Sequence, residues 1–66
     1  MTTMEFQRTR LEAEMIKAKD RIRQIRESSF PDLNAIKQLQ ESVERNLQLI
    51  GMIDHHLKAD QRQQSQ

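Results

Sequence analysis

A single break divides this chain of 66 residues into two long helix-forming segments, and it limits the fold more than any other feature. The break is the run Ser-Ser-Phe-Pro-Asp at residues 28–32, which holds the only proline. Proline disfavours helical backbone at the residue before it but is well tolerated in the first turn of a new helix. We therefore predict helices over about residues 3–27 and 31–58, with a short turn near residues 28–31. Ser29 and Asp32 have the spacing of a capping box for the second helix.

Both segments carry apolar residues at the spacing of an amphipathic helix. In the first segment these residues recur at steps of seven, four, three, four and three, as in a coiled-coil seam. A short connection places consecutive helices antiparallel. The predicted fold is therefore all-α: an antiparallel, coiled-coil-like two-helix hairpin over residues 1–58. Its predicted seam consists of Met4, Leu11, Met15, Ala18, Ile22 and Ile25 in the first helix and Leu33, Ile36, Val43, Leu47, Ile50 and Leu57 in the second.

The position of the turn predicts which residues face each other across the hairpin. If the chain pivots near Ser29, facing residues have numbers that add to about 58. Arg8 then lies about one helical turn from Asp54, and we expect at least partial pairing of the two at this open end. Beyond residue 58 the sequence is polar and has no periodicity, which predicts a disordered polar tail over residues 59–66.

The second segment carries more apolar surface than one neighbouring helix can cover. Leu49 and Met52 point away from the predicted seam, with Ile53 between them. A chain of this length buries only about 60% of its unfolded surface, so a hairpin with one seam benefits from a second molecule. We therefore predict that these residues bind a partner, together with exposed positions nearby and on the first helix. The predicted partner-binding residues are Leu49, Met52, Ile53, His56, Ile16 and Phe6.

The sequence offers little basis for catalysis or metal binding. Asp54, His55 and His56 are the only adjacent residues that suggest chemistry. Neighbouring residues on a helix point about 100° apart, whereas two histidine ligands on one helix need a spacing of three or four. With one glycine and no cysteine, the chain also lacks a glycine-rich phosphate loop, a thiol nucleophile and disulfides. We predict no enzymatic activity, no cofactor and no metal site.

Residues 17–26 hold a local excess of positive charge, although the formal net charge of the chain is only +1. Such a stretch can bind phosphates or an acidic protein surface. Acidic residues are interspersed along the first helix, however, and the chain has no Trp or Tyr for stacking on bases. We therefore interpret the stretch mainly as a solvated face beside the seam, and we expect no nucleic acid partner.

Two further features concern the location of the protein. No apolar run approaches the roughly 20 residues needed to span a bilayer. The first residues also lack the basic and then apolar order of a signal peptide. We expect no membrane insertion and a cytoplasmic location.

Length, turn and the apolar end of the second helix together resemble one known family. The chain has 66 residues beginning Met-Thr, a turn containing Pro31 and Asp32, and a second helix that ends in Leu49-Ile50-x-x-Ile53-x-x-x-Leu57. Over most of residues 1–58 it resembles the small YscE-type co-chaperones of type III secretion needle subunits. The resemblance implies a helical hairpin that pairs with a larger helical-repeat chaperone. It further implies that the two proteins together keep a needle subunit soluble and unpolymerised in the bacterial cytoplasm.

Two other functions stay open on the sequence alone. The chain could be a self-associating structural hairpin, a homodimer in which the second apolar patch packs against its own copy as a four-helix bundle. It could also be a small nucleic-acid-associated regulator that uses the basic stretch. A mass measurement separates the first alternative from the co-chaperone, and the salt dependence of polynucleotide binding tests the second.

Overall fold

The computed structural model describes residues 2–64, with side chains described up to residue 59, and this part of the chain forms two α-helices. Helix α1 spans Thr3–Glu27, and helix α2 spans Leu33–Gln64. They pack against each other as an elongated hairpin with dimensions of 58 × 17 × 13 Å. The predicted all-α helical hairpin is confirmed.

Local hydrogen bonds determine where α1 begins and ends. The Glu5 N–H donates to Thr2 Oγ1 at 3.1 Å, so Thr2 is the N-cap and Glu5 lies near the positive end of the helix dipole. At the other end Ser28 adopts extended backbone, with φ −73° and ψ 157°. Its N–H and hydroxyl both donate to the carbonyl oxygen of Ile25, at 3.2 and 2.7 Å. The observed bounds of α1 agree with the predicted helix over residues 3–27.

Asp32, and not Ser29, caps the start of α2. The Ala35 N–H donates to Asp32 Oδ1 at 3.1 Å, and the Ile36 N–H donates to the Asp32 carbonyl oxygen at 3.1 Å. An aspartate carboxylate is among the strongest N-caps, which explains why the helix begins at Leu33 rather than near residue 31. The turn therefore occupies residues 28–32.

The later start of α2 shifts the register of the hairpin by about one helical turn. Arg8 Nε donates to Asp54 Oδ1 at 2.5 Å, so the predicted pairing of these two residues is confirmed. Facing positions accordingly have numbers that add to about 62 instead of 58, because the longer turn moves the pivot from Ser29 toward Pro31.

Four isoleucines form the buried core of the hairpin: Ile22, Ile36, Ile50 and Ile53, each with 7–8% of its surface exposed. Around them, half-buried residues continue the seam on both helices at alternating steps of four and three. The half-buried apolar residues of this seam are Met4, Leu11, Met15, Ala18 and Ile25 in α1 and Leu39, Val43 and Leu57 in α2.

Two sequence-based assignments on α2 are wrong: Leu33 and Leu47 are predicted seam residues but are 75% and 50% exposed. Ile53, a predicted partner-binding residue, is 8% exposed and lies in the seam, where it also lines the groove described below. The steps between seam residues along α2 explain the exposure of Leu47. The alternating steps pass through the half-buried Asn46 to Ile50 and then Ile53, so Leu47 falls beside the seam. At the start of α2, Leu33 follows the cap directly and has no facing turn of α1.

Helix α2 continues past the end of the predicted hairpin. Its backbone is helical through Gln64, so the predicted disorder is wrong for residues 59–64. Ala, Gln and Arg, which predominate there, are good helix formers, and neither Gly nor Pro interrupts them. Because Thr3 faces about residue 59, this last part of α2 extends beyond the start of α1. Ser65 and Gln66, also assigned to the tail, lie outside the described residues.

The turn presents one large apolar side chain to solvent. Phe30, at the tip, is 94% exposed, the highest exposure among the large apolar residues described. Phe30 stands before Pro31 in the turn between the two helices, and its side chain is almost fully exposed there. The apolar surface of the hairpin is therefore divided between this tip and the flanks of the two helices.

Candidate protein-binding groove

One flank of the hairpin carries an apolar groove between α1 and α2, near the end away from the turn. Its volume is about 530 Å³. Apolar side chains from both helices line it, and polar side chains surround them. The apolar lining is Met4 and Leu11 from α1 with Leu49, Met52 and Ile53 from α2, and the polar rim is Gln7, Arg10, Glu14 and His56.

Helical geometry explains why α2 is apolar on this flank. Residues three and four apart on a helix are surface neighbours, and Leu49, Met52, Ile53 and His56 are spaced in this way. Ile53 lies in the seam and forms the floor of the groove, whereas Leu49 and Met52 stand on the wall with 46% and 69% of their surface exposed. The groove therefore leaves large apolar side chains in contact with water.

The rim of the groove carries one charge of each sign from α1. Arg10 and Glu14 are one helical turn apart, and Arg10 Nε lies 3.6 Å from Glu14 Oε1. Both side chains are largely exposed, so this ion pair adds little to the stability of the hairpin. Because Arg10 and Glu14 carry opposite charges, the pair adds no net charge to the rim of the groove.

The structure brings together four of the six residues that the sequence predicted as partner-binding. They are Leu49, Met52, Ile53 and His56. Ile53 shapes the floor but offers little exposed surface. Phe6 and Ile16 are 61% and 69% exposed on α1, yet neither lines the groove. Ile16 lies instead in a separate shallow depression with Ala13 and Lys17.

Sequence reasoning missed the α1 side of the groove. Met4 and Leu11 were assigned to the seam alone, and Gln7, Arg10 and Glu14 were not assigned to any site. The ion pair between Arg8 and Asp54 was the available signal, because a register built on it places Leu11 opposite residue 51, beside Met52, and Met4 opposite residue 58, near His56.

Arg8 joins α1 to α2 at the same end of the hairpin. Its guanidinium donates to both carboxylate oxygens of Asp54, from Nε to Oδ1 at 2.5 Å and from NH2 to Oδ2 at 3.3 Å, and it also donates to Glu12. The hydrogen bonds from Arg8 hold the pKa of Asp54 below its ordinary value, although desolvation opposes them, and Lys58 adds a smaller lowering effect. The hydrogen bond to Asp54 likewise raises the pKa of Arg8. Neither residue of this pair lines the groove.

The basic stretch of α1 contributes to a second groove nearer the turn, with a volume of about 740 Å³. Its lining contains three basic and two acidic side chains. Arg23 hydrogen-bonds to Asp20 and lies 3.9 Å from Glu27, and these two acids raise the pKa of Arg23. This mixture of charges favours the interpretation of the stretch as a solvated face. The lining consists of Lys19, Ile22, Arg23, Arg26, Glu27, Gln40, Val43 and Glu44.

Two searches of the described residues bear on other functions. Neither helix there is long and apolar enough to cross a membrane. The same part of the chain contains no group of three or more His, Cys, Asp or Glu side chains arranged to hold a metal ion. What the described residues do present is the apolar groove between α1 and α2.

Fold and groove together define an all-α helical hairpin with an exposed apolar groove on one flank. Comparisons with models of protein families, with curated proteins and with solved structures found no significant match. A functional assignment therefore rests on the geometry of the groove and on the sequence resemblance.

Proposed function

We propose that this chain is a small helical protein-binding module whose apolar groove receives a helix of a partner protein. In the form implied by the resemblance, the module is a co-chaperone of the bacterial cytoplasm. It acts with a larger helical-repeat chaperone to keep a type III secretion needle subunit soluble and unpolymerised. The chain works by contact alone and catalyses no reaction.

The exposure of Met52 is the observation that carries this proposal. Its side chain is 69% exposed although it stands in a groove among Leu49 and Ile53. Apolar side chains that converge in an exposed concave surface are typical of sites that another protein covers. Methionine suits such a site because its flexible thioether adapts to the shape of the partner.

A helix is the partner element that fits the groove best. Met4 and Leu11 are seven residues apart on α1, which corresponds to two helical turns or about 10 Å. An amphipathic helix presents its apolar anchors at the same spacing, at positions i, i+3 or i+4, and i+7. Such a helix would lie beside α1 and α2 and complete a three-helix bundle.

The co-chaperone hypothesis predicts which proteins supply the partner helix. Length, the turn at Pro31 and the apolar end of α2 support it, since these are the features on which the resemblance rests. Two helical partners, a repeat chaperone and a needle subunit, are then expected in one complex. An aggregation-prone subunit is kept soluble when its own apolar surface is covered.

Met52→Glu tests the proposal, and Ile16→Glu is its matched control because both parent residues are apolar and 69% exposed. Each tagged chain is expressed in the native host, and the proteins that co-purify are identified by mass spectrometry. We expect the unaltered chain and Ile16→Glu to retain a helical-repeat chaperone and a needle subunit. Met52→Glu should lose both, because burial of an unpaired carboxylate costs several kcal/mol.

Circular dichroism of the same variants separates binding from folding. Met52→Glu should keep the helicity of the unaltered chain, since the substituted side chain is mostly in solvent. Loss of helicity would instead assign Met52 to the support of the hairpin. Equal capture by all three chains would contradict the groove as the binding surface, and capture of unrelated proteins would contradict the co-chaperone form.

A further inference from the structure

We infer that a second copy of this chain covers the apolar groove when no partner is bound, and that the two hairpins form a four-helix bundle around a two-fold axis. The inference goes beyond the proposed function, because it names the occupant of the groove in the free protein. It holds whether or not the partner is a secretion chaperone.

The amount of exposed surface supports this self-association. The chain exposes 5674 Å² for a mass of 7.9 kDa, whereas a compact monomer of that mass exposes about 4,400 Å². The difference, roughly 1,300 Å², exceeds the approximately 800 Å² that each partner buries in a standard interface. Large apolar side chains on the flanks, such as Leu49 and Met52, contribute to this exposed surface. Burial of the groove in a dimer would add to the small core that the four buried isoleucines form within one chain.

The charges on the rim favour a second copy over a partner of a single charge sign. In a two-fold interface the same patch meets itself, so that residue i contacts residue j and residue j contacts residue i. If the two α1 helices lie antiparallel and cross near residue 12, Arg10 of each copy faces Glu14 of the other. A strongly acidic or basic partner would meet one like charge on the same rim. The net charge of +1 adds little repulsion between copies.

The register of the hairpin makes the apolar contacts consistent with this crossing. A residue near position 12 on α1 faces a residue near position 50 on α2. The two-fold axis that passes near residue 12 therefore also passes close to Leu49 and Met52. These two side chains and their counterparts from the second copy meet around the axis and exclude water, as in the core of a four-helix bundle.

Leu49→Glu and Leu47→Glu form a matched pair for the first test. The parent residues are of the same type on the same helix and are 46% and 50% exposed, but only Leu49 lines the groove. Sedimentation equilibrium over a wide range of concentration should give a monomer–dimer equilibrium for the unaltered chain. Leu49→Glu should raise the dimer dissociation constant at least about a hundredfold, since two carboxylates are buried at the axis. Leu47→Glu should change it by no more than about threefold.

Three results of that test would overturn the inference. The first is a folded, monomeric chain at every concentration. The second is assembly beyond the dimer, which a closed two-fold interface does not permit. The third is an equal effect of both variants, which would remove the groove from the interface.

A charge exchange between copies is the second test. Arg10→Glu and Glu14→Arg each place like charges together, within the chain and across the axis, so each variant alone should dimerise more weakly. When the two chains are mixed, native mass spectrometry should find the heterodimer at least about tenfold more stable than either homodimer. The ion pair within each chain stays broken in the mixture, so only contacts between copies can restore affinity. No preference for the heterodimer would overturn the antiparallel crossing near residue 12.

Failure of this inference and failure of the proposed function give different results. A monomeric chain that captures its partner through Met52 would overturn the homodimer and leave the proposed function standing. A dimer that is weakened by Leu49→Glu but captures no partner would support the homodimer and contradict the proposed function.

Discussion

Arg8 is a charged residue at a seam position that an apolar side chain would otherwise occupy. Its guanidinium reaches Asp54 across the hairpin and Glu12 along α1, while its aliphatic stem stays half-buried. A register slipped by one turn would move Asp54 about 5 Å along the helix axis from Arg8 and weaken the ion pair. At the scale of single residues, the pair therefore selects one register of the two helices.

The lowered pKa of Asp54 predicts a pH-dependent stability. The carboxyl titrates near 3.8 when unfolded and below that value in the hairpin. Its contribution is therefore complete above the unfolded pKa and is lost as the pH falls through the folded pKa. We expect the unaltered chain to melt at a higher temperature than Asp54→Asn at neutral pH, with the difference disappearing in strong acid. Arg8 stays charged throughout, since its pKa is raised.

Circular dichroism melts at a series of pH values measure this effect. Glu41→Gln is the control, because Glu41 is an exposed acid on α2 that forms no ion pair with any residue that the structure describes. A difference between Asp54→Asn and the unaltered chain that stays constant into strong acid would show that Asp54 does not act through its charge.

At the scale of the helices, the sequence predicted α1 and the hairpin but misplaced the seam of α2. Leu47 and Ile53 both stand three residues from Ile50, so either can continue an apolar face with it. The polar Asn46 made the face through Leu47 look more continuous. The structure decides between the two faces, because Asn46 is half-buried and Ile53 is buried, whereas Leu47 is exposed. Apolar periodicity does not detect a seam that passes through a polar residue such as Asn46.

The α2 side of the groove could be predicted from the sequence, but the α1 side could not. Leu49 and Met52 lie outside the seam whether it passes through Leu47 or through Ile53, so the sequence indicates that both are exposed. Met4 and Leu11 depend on the register, because α1 contributes them by facing the end of α2. The α1 wall is therefore a property of the paired helices and not of either segment alone.

The corrected seam predicts a large difference between two alanine substitutions on α2. Ile53→Ala should lower the free energy of unfolding by about 2 to 5 kcal/mol, because Ile53 is buried. Leu47→Ala should cost less than half as much, since half of the Leu47 side chain is already in water. Urea unfolding followed by circular dichroism measures both values. The reverse order would restore the register predicted from the sequence.

At the scale of the whole molecule, the described residues form a small buried core. The buried core consists of four isoleucines, and no described side chain is fully buried. One helix–helix seam has to offset the conformational entropy of the whole ordered chain. The stability of the hairpin is therefore coupled to what covers its flank.

This coupling predicts that thermal stability depends on protein concentration. The isolated chain should be mostly helical, with a melting temperature that is low in dilute solution and rises as the concentration increases, because association favours the folded form. Circular dichroism melts over a wide concentration range measure the shift, and the midpoint of Leu49→Glu should not move. A sharp transition far above the roughly 45–65 °C of mesophilic domains, at every concentration, would contradict a marginal core.

The exposed Phe30 at the turn has an optical consequence. The chain contains no Trp and no Tyr, so it has almost no near-ultraviolet absorption and no strong intrinsic emission. Phe30→Trp would place an indole at the end of the hairpin remote from the groove. Its fluorescence there should measure the protein concentration and should not change when a partner fills the groove. Met52→Trp would place the same fluorophore in the groove, where its emission should shift to shorter wavelength once water is excluded. Binding at the groove could then be measured from the emission of Met52→Trp, with Phe30→Trp as the reference.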